Sequence, residues 1–475
     1  MSEATAGPAA RAPDELLRAQ PSLHRVMGSG LLLLFIVGDI LGTGVYALTG
    51  QVAARVGGAA WAPFLVAFFA ATVTACSYLE LVTKYPRAAG AALYTHKAFG
   101  VHFVTFMVAF TVMCSGITSA STASRAFAAN LSAAFDLSAG GGIGITLLAM
   151  GFMGLVAAVN FRGVGESVKI NVVLTLVELT GLLIIIVIGL WAIGRGQGDL
   201  ARVTQFTPAE GQSVFTAITA ATALAFFAMV GFEDAVNMAE ECKEPVRIFP
   251  FVMLTGLCVT GAIYVLVSIS AVALVPVEQL GQGETPLLQV VRAGAPGFPL
   301  GVFAFITMFA VANSALINML MASRLVYGMS RERVLPAALG LVHPGRRTPW
   351  VAIAFTTLLA LGLIALVGGV PALGGTTALL LLGVFTVVNV AVLVLRRDRV
   401  EHRHFRAPTF LPVVGTVVCG FLATPLAGRP VVQYQIAGVL LVIGVVLWAV
   451  TALVNRKLDR AAVDLAHLAS RGPVN

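Results

Sequence analysis

Apolar stretches long enough to cross a lipid bilayer recur along the whole chain, and the gaps between them are too small for a separate soluble domain. A helical span needs about 20 predominantly apolar residues. Runs of that kind fall at roughly 30–54, 59–82, 101–128, 143–160, 170–194, 213–240, 250–275, 299–328, 349–369, 375–395, 410–428 and 435–454. Charged residues make up 11% of the chain, against about 25% in soluble domains. The expectation is an all-α integral membrane protein with twelve transmembrane helices.

Twelve spans place both termini on one side. Arg55, Arg125, Arg195, Arg202, Arg292 and Arg429 then fall on the opposite side, and all the other Lys and Arg of a total of 30 fall with the termini. Basic residues accumulate on the cytoplasmic face, so both termini are expected in the cytoplasm. One missed or invented helix would invert every later loop and erase this bias. The net charge of +8 is thereby accounted for by topology, and no nucleic-acid partner is expected. The first apolar run starts at Leu31 and outlasts a signal-peptide core, so no cleaved leader is expected. Cys76, Cys114, Cys242, Cys258 and Cys419 form no CxxC and have no His cluster nearby; they read as small buried hydrophobes rather than metal ligands.

Two spans break the apolar pattern. The first, "FIVGDILGTGVYALTG", carries Asp39 and then Gly42-Thr43-Gly44 near mid-depth. In hydrocarbon every backbone N–H and C=O needs a partner, so irregular backbone is tolerated only inside protein or against a watery cavity. Taken alone, the glycines could serve close helix packing instead. The sixth span, "FFAMVGFEDAVNMAEECKEPVRIFP", is also interrupted: Gly231 breaks the apolar run, and Glu233 and Asp234 follow at once. Carboxylates at this depth are functional candidates by default. Interruptions five helices apart, at corresponding places in two halves, point to a transporter's substrate site.

The segments "GDILGTGVYALTG", "YLELVTKYPRAAGAALYTHKAFG", "GFEDAVNMAEECKEPVRIFP", "RLVYGMSRERVLP" and "RRDRVEHRHFRAPTFLPVVG" occur in this order over about residues 25 to 455. Together they resemble the amino acid/polyamine/organocation superfamily, most closely its bacterial amino acid permeases and the cationic amino acid transporter branch. The resemblance implies a five-plus-five inverted repeat (LeuT-like) with discontinuous helices one and six, plus two C-terminal helices. Repeat one would cover about 30–194, repeat two about 213–395 and the extra helices about 410–454, within a transporter domain at 30–455. Tails would lie at 1–29 and 456–475.

It further implies an amino acid or related amine held between the two breaks. The N–H groups of Gly42, Thr43 and Gly44 would bind its carboxylate, with Ile40 and Leu41 alongside. Phe227, Ala228, Met229, Val230 and Gly231 would accept its ammonium and line the pocket, and Phe232 would gate it. Some proton-coupled members carry a Lys partway along helix five, and the matching position here is Glu178.

Four residues are candidates for the coupling ion. Glu178 comes first as a proton carrier and Asp39 second, since helices one and five would pack together; the bland alternative is that Glu178 ties helix five to the broken backbone. A third arrangement holds Na⁺ between Asp39, Glu178, Asn313 and Ser314. Glu233 would meet a cationic side chain of the substrate or, equally, brace the helix. Glu240 and Glu241 are expected to pair with Lys84, Arg87 or Lys243. "KYPRAAGAALYTHKAFG" suits an interfacial or re-entrant segment, and His402 and His404 among arginines make a poor metal site.

The expected activity is secondary active transport of a cationic or neutral amino acid across the cell membrane, coupled to protons, with an amino acid or polyamine exchanger as the alternative. Neither HExxH nor GxSxG is present, and no cofactor motif is found. A membrane enzyme or a transporter-like sensor is the distant alternative.

Overall fold

The computed structural model describes residues 27–86, 90–135, 142–162, 168–208, 212–346 and 348–470. Arg11, Arg18, Arg25, Arg87, Arg347 and Arg471, which enter the sidedness argument, lie outside the described residues, as does most of the N-terminal tail. Among the described residues, eleven helices are long and apolar enough to cross a membrane. We label the helices in chain order. The first, α1, runs Ser29–Leu41 and resumes as Thr43–Val56. Then come α2 (Trp61–Lys84), α3 (His102–Ala134), α4 (Gly142–Arg162) and α5 (Val168–Gly194). The interrupted α6 starts as Val214–Ala225 and is followed by α7 (Pro245–Leu274), α8 (Leu300–Arg331), α9 (Trp350–Val367) and α10 (Val370–Leu395). The chain closes with α11 (Phe410–Ala423) and α12 (Val431–Ser470).

The outer surface of the bundle is apolar. Phe251, Leu358, Leu366 and Leu147 are all exposed, a cost in water that a bilayer removes. This is a multi-pass membrane protein.

Two ends differ from the sequence expectation. Helix α11 stops at Ala423, before Pro425; its 14 residues reach about 21 Å at 1.5 Å per residue, less than the roughly 30 Å hydrocarbon core. Helix α12 continues to Ser470, beyond the expected boundary near 455. Its last stretch, "NRKLDRAAVDLAHLAS", is rich in Ala, Leu and Arg, all good helix formers. Cys258 is also exposed, on the outside of α7, whereas the other four cysteines are buried.

Helix pairing repeats with a step of five. Helix α1 packs on α5 and α6 on α10; α1 on α7 and α6 on α2; α3 on α4 and α8 on α9. Likewise α7 meets α5 and α2 meets α10, while α3 meets α10 and α8 meets α5. The pairs α3 with α8, α2 with α7 and α4 with α9 map onto themselves. Helices α11 and α12 lie outside this pattern, α11 on α10 and α2, α12 on α10 and α3. Ahead of α1, Met27 forms a β-bridge with Cys242, just past the end of α6. Its N–H donates to the Glu241 carbonyl at 3.0 Å and its own carbonyl accepts from the Lys243 N–H at 3.1 Å. The start of α1 and the end of α6 are thereby fastened together.

Candidate functional site

Both anomalous spans are broken in the folded chain. In α1 the helix lapses at Gly42, whose φ of −37° and ψ of −147° are not helical, and resumes at Thr43. In α6 the break is longer than the sequence suggests. The α-helix ends at Ala225, a 3₁₀ turn covers Phe226–Met229, Val230 is extended, and Gly231 has φ +128°. The chain then winds as a 3₁₀ helix over Asp234–Glu241. A non-glycine residue would be strained at the φ of Gly231.

The two breaks lie against each other. A Cβ built on Gly44 would stand 2.4 Å from Ala228 Cα, and one built on Gly231 would stand 2.8 Å from the Asp39 carbonyl carbon. A Cβ on Gly42 would stand 2.2 Å from the Ser314 hydroxyl of α8, and one on Gly38 would meet the Thr175 hydroxyl of α5 at 1.9 Å. Glycines therefore let α1 approach α6 at backbone distance, at Gly44 and Gly231, and pack directly on side chains of α5 and α8, at Gly38 and Gly42. Close packing and helix interruption, alternatives in the sequence, coincide here.

Breaking a helix orphans carbonyls before the gap and N–H groups after it. Part of that demand is met by side chains. The Tyr264 hydroxyl of α7 donates to the Ile40 carbonyl, and Glu233 accepts from the Gly231 N–H at 2.9 Å. Glu233 is thus engaged by its own break. Phe232 is fully buried, with its ring 5.8 Å from Tyr78 and 5.3 Å from Phe385, while Tyr78 also meets Tyr94.

Glu178 lies buried in α5, where its Oε1 accepts from the Asn313 side chain of α8 at 3.3 Å. Its Oε2 is buried with no hydrogen-bond partner, and so is the Thr43 hydroxyl. The Tyr46 hydroxyl of α1 donates to the Glu178 carbonyl at 2.6 Å. Helices α1 and α5 touch at Gly38 and Thr175, one residue from Asp39 and three from Glu178. The α5 acid, the α8 amide and the α1 break are thereby gathered in one region.

A cavity of about 1050 Å³ reaches the α6 break from one end of the bundle. Tyr78, Ser115, Gly116, Val230, Glu233 and Thr377 line its inner part, and His96, His102, Arg324 and Arg331 its mouth. Of the sequence-predicted substrate residues, Val230 and Glu233 face it; Ile40 to Gly44 and Phe227 to Met229 sit behind, in the packed contact of the breaks. Asp234 and Asn237 also line it. Below Thr377 the cavity ends where the Thr118 and Thr377 hydroxyls pair at 2.7 Å, joining α3 to α10.

Several residues that sequence reasoning passed over have clear roles. Tyr264 and Tyr46 sit inside apolar spans rather than at interfaces, and a mid-span tyrosine signals a buried partner for its hydroxyl. Glu80 on α2 forms a two-pronged ion pair with Arg396, at 2.8 and 2.7 Å, and also accepts the Ala407 N–H at 3.0 Å. That hydrogen bonding holds the Arg396 guanidinium above its usual range. Lys84, expected beside Glu240 or Glu241, instead donates to the Leu395 carbonyl at 2.6 Å. The reason is local: the last carbonyls of α10 are unsatisfied and carry partial negative charge.

A family model for amino acid permeases matches residues 32–452. The chain belongs to the amino acid permease family. Among curated proteins, it is 28% identical over 430 residues to the methylthioribose transporter of Bacillus subtilis (strain 168), covering 86% of this chain and 90% of that one. It is 25% identical over 462 residues to the branched-chain amino acid permease BcaP of the same organism, covering 93% and 96%. It is 29% identical over 402 residues to cationic amino acid transporter 4 of Mus musculus, covering 81% and 62%. These relatives are transporters and permeases, and the resemblance to the amino acid/polyamine/organocation superfamily stands. The chain is a membrane transporter, not an enzyme.

Proposed function

We propose that this permease is a secondary active transporter that carries a cationic or neutral amino acid across the cell membrane together with a proton. The observation that carries this reading is the meeting of two helix breaks, Gly44 on Ala228 and Gly231 on Asp39, beside a cavity that reaches Val230 and Glu233. Broken helices offer N–H groups to a carboxylate and carbonyls to an ammonium. Thr43 and Gly44 supply the first, and the carbonyls around Met229 and Val230 the second. The repeated helix pairing supports a five-plus-five inverted repeat with α11 and α12 appended. The cavity opens at the end carrying Arg324 and Arg331, which the distribution of basic residues assigns to the cytoplasm.

The relatives are named for methylthioribose, branched-chain amino acids and cationic amino acids, so identity does not select among side chains. Glu233 and Asp234 on the cavity wall favour a cationic one, whereas the bond from Gly231 to Glu233 gives that acid a bracing task that a neutral substrate leaves undisturbed.

Glu178 is the proton carrier in this reading, with Asp39 as the second acid. Its carboxylate is buried, with one oxygen on Asn313 and the other without a partner. A second reading is favoured by the oxygens around the α1 break: the unpartnered Thr43 hydroxyl and Ser314, whose Oγ crowds Gly42, would suit Na⁺.

Uptake into reconstituted vesicles tests both readings. A pH gradient without Na⁺ drives accumulation in the first; a Na⁺ gradient at equal pH drives it in the second. Glu178→Gln abolishes the pH-driven component and leaves exchange between loaded vesicles. Persistence of pH-driven accumulation in that variant removes Glu178 from the carrier role. The substrate itself is found by a thermal-shift screen over amino acids and polyamines, since a ligand of the folded state raises its stability.

A further inference from the structure

On the far side of the cavity floor, a partly buried ion pair joins three elements, and its arginine also reaches a fourth. Arg125 of α3 lies nine residues beyond Gly116, the last α3 residue facing the cavity, or about 14 Å along the helix. Its Nε donates to Glu284 Oε1 at 3.4 Å, and its Nη1 to the Thr146 hydroxyl of α4 at 3.2 Å. The same Glu284 oxygen accepts the Val370 N–H, at the first residue of α10, at 3.3 Å. Glu284 belongs to the segment from Val277 to Gly294, two short helices between α7 and α8. That segment also covers the second half of α1. Gln51 donates to the Gly281 carbonyl at 2.7 Å, and a Cβ on Gly50 would stand 1.9 Å from the Leu280 carbonyl oxygen.

We propose that the Arg125–Glu284 pair is a releasable latch that holds the 277–294 segment closed over the substrate path on the side opposite the cavity. The geometry separates it from a permanent clamp. Glu80 and Arg396, at the other end of the bundle, make two bonds of 2.7 to 2.8 Å, and an amide donates to the same carboxylate. At Glu284 the ionic contact is single and long, and Oε2 is buried with no hydrogen-bond partner. A carboxylate with one oxygen unsatisfied gains from rehydration when the segment lifts. The three elements it joins would part together. Each lies next to a moving part of the site: α10 to the Thr118–Thr377 floor, the 277–294 segment to α1, and α3 to the cavity wall.

The latch rests on the transporter reading for its purpose, but its test needs no substrate, so its failure would leave the uptake experiments standing. With all five native cysteines replaced by Ser or Ala, two single-cysteine reporters are labelled by a water-soluble maleimide. Leu280→Cys, buried on the inner face of the segment itself, reports on the latched side, and Met321→Cys, lining the cavity, on the open side. Glu284→Gln is expected to raise labelling at position 280 about five-fold and lower it at 321 in step, the size of a modest coupling between states. Arg125→Lys keeps the charge and loses the Nε bond, so it too raises labelling at 280 and lowers it at 321, and serves where the Gln variant is poorly folded. Rates that do not change, or that rise together as general loosening would make them, overturn the latch.

Discussion

Gly44 of α1 and Ala228 of α6 meet at backbone distance: a Cβ on the glycine would stand 2.4 Å from Ala228 Cα and 2.9 Å from its amide nitrogen. No side-chain rotation relieves such a contact, because the obstacle is main chain. Gly44→Val therefore forces the two breaks apart and also costs folding stability, by about 1–3 kcal/mol as for other overpacked cores. Transport should be lost in vesicles, and the thermal midpoint of the purified variant should fall. Wild-type uptake by this variant would contradict the substrate assignment to this contact.

The α6 break is held by its own acid. Glu233 accepts the Gly231 N–H, and both residues lie inside the protein, Gly231 at a backbone angle suited to glycine. Glu233→Ala leaves that donor buried without its acceptor, at a cost of about 1–3 kcal/mol. Glu233→Gln keeps a side-chain oxygen in place and should lose much less. Denaturation in detergent, comparing the two variants, measures the difference. If the bracing task is the main one, Glu233→Gln retains uptake of a neutral amino acid.

Glu80 and Arg396 join α2 to the loop that follows α10, and their side chains are 3% and 11% exposed. Removing one partner of a buried pair strands the other, typically at about 3–5 kcal/mol. Glu80→Ala should therefore be severely destabilised. The double variant Glu80→Leu with Arg396→Met should recover much of the loss, because neither charge is then left alone. A double-mutant cycle on thermal stability gives the coupling.

Much of the architecture is legible in the sequence because hydrocarbon enforces it. Spans must be helical, breaks must be protected, and Gly42 and Gly231 mark both breaks at the right depth. The length of the α6 break is not legible: from Phe226 to Met229 the residues are ordinary helix formers in a membrane, and the 3₁₀ winding follows from packing on α1 and α2. Long-range partners are equally silent. Nothing local in "SYLELVTK" says that Glu80 meets an arginine 316 positions away. Arg125 and Arg429 look like loop residues when charges are counted by side, yet both are buried. Arg429 is satisfied there by carbonyls of Leu422, Gly375 and Ala223. They leave the loop count without weakening it, since both stood on the side poorer in basic residues.

Tyr264 offers the most selective probe of the α1 break. Its hydroxyl donates to the Ile40 carbonyl, which lies two residues before Gly42 and so loses its ordinary helical acceptor role. Tyr264→Phe keeps the ring and removes that donor, leaving a buried carbonyl underserved at about 1–3 kcal/mol. Tyr46→Phe is the matched control. Its hydroxyl also reaches a carbonyl, that of Glu178, but this one lies inside the uninterrupted α5 and has a helical partner already, so its loss should cost nearer 1 kcal/mol. Both variants keep their aromatic packing, so unfolding midpoints compare the two hydrogen bonds alone. Equal losses would mean that the carbonyls at the α1 break are satisfied by other means, and that Tyr264 does not stabilise the interruption.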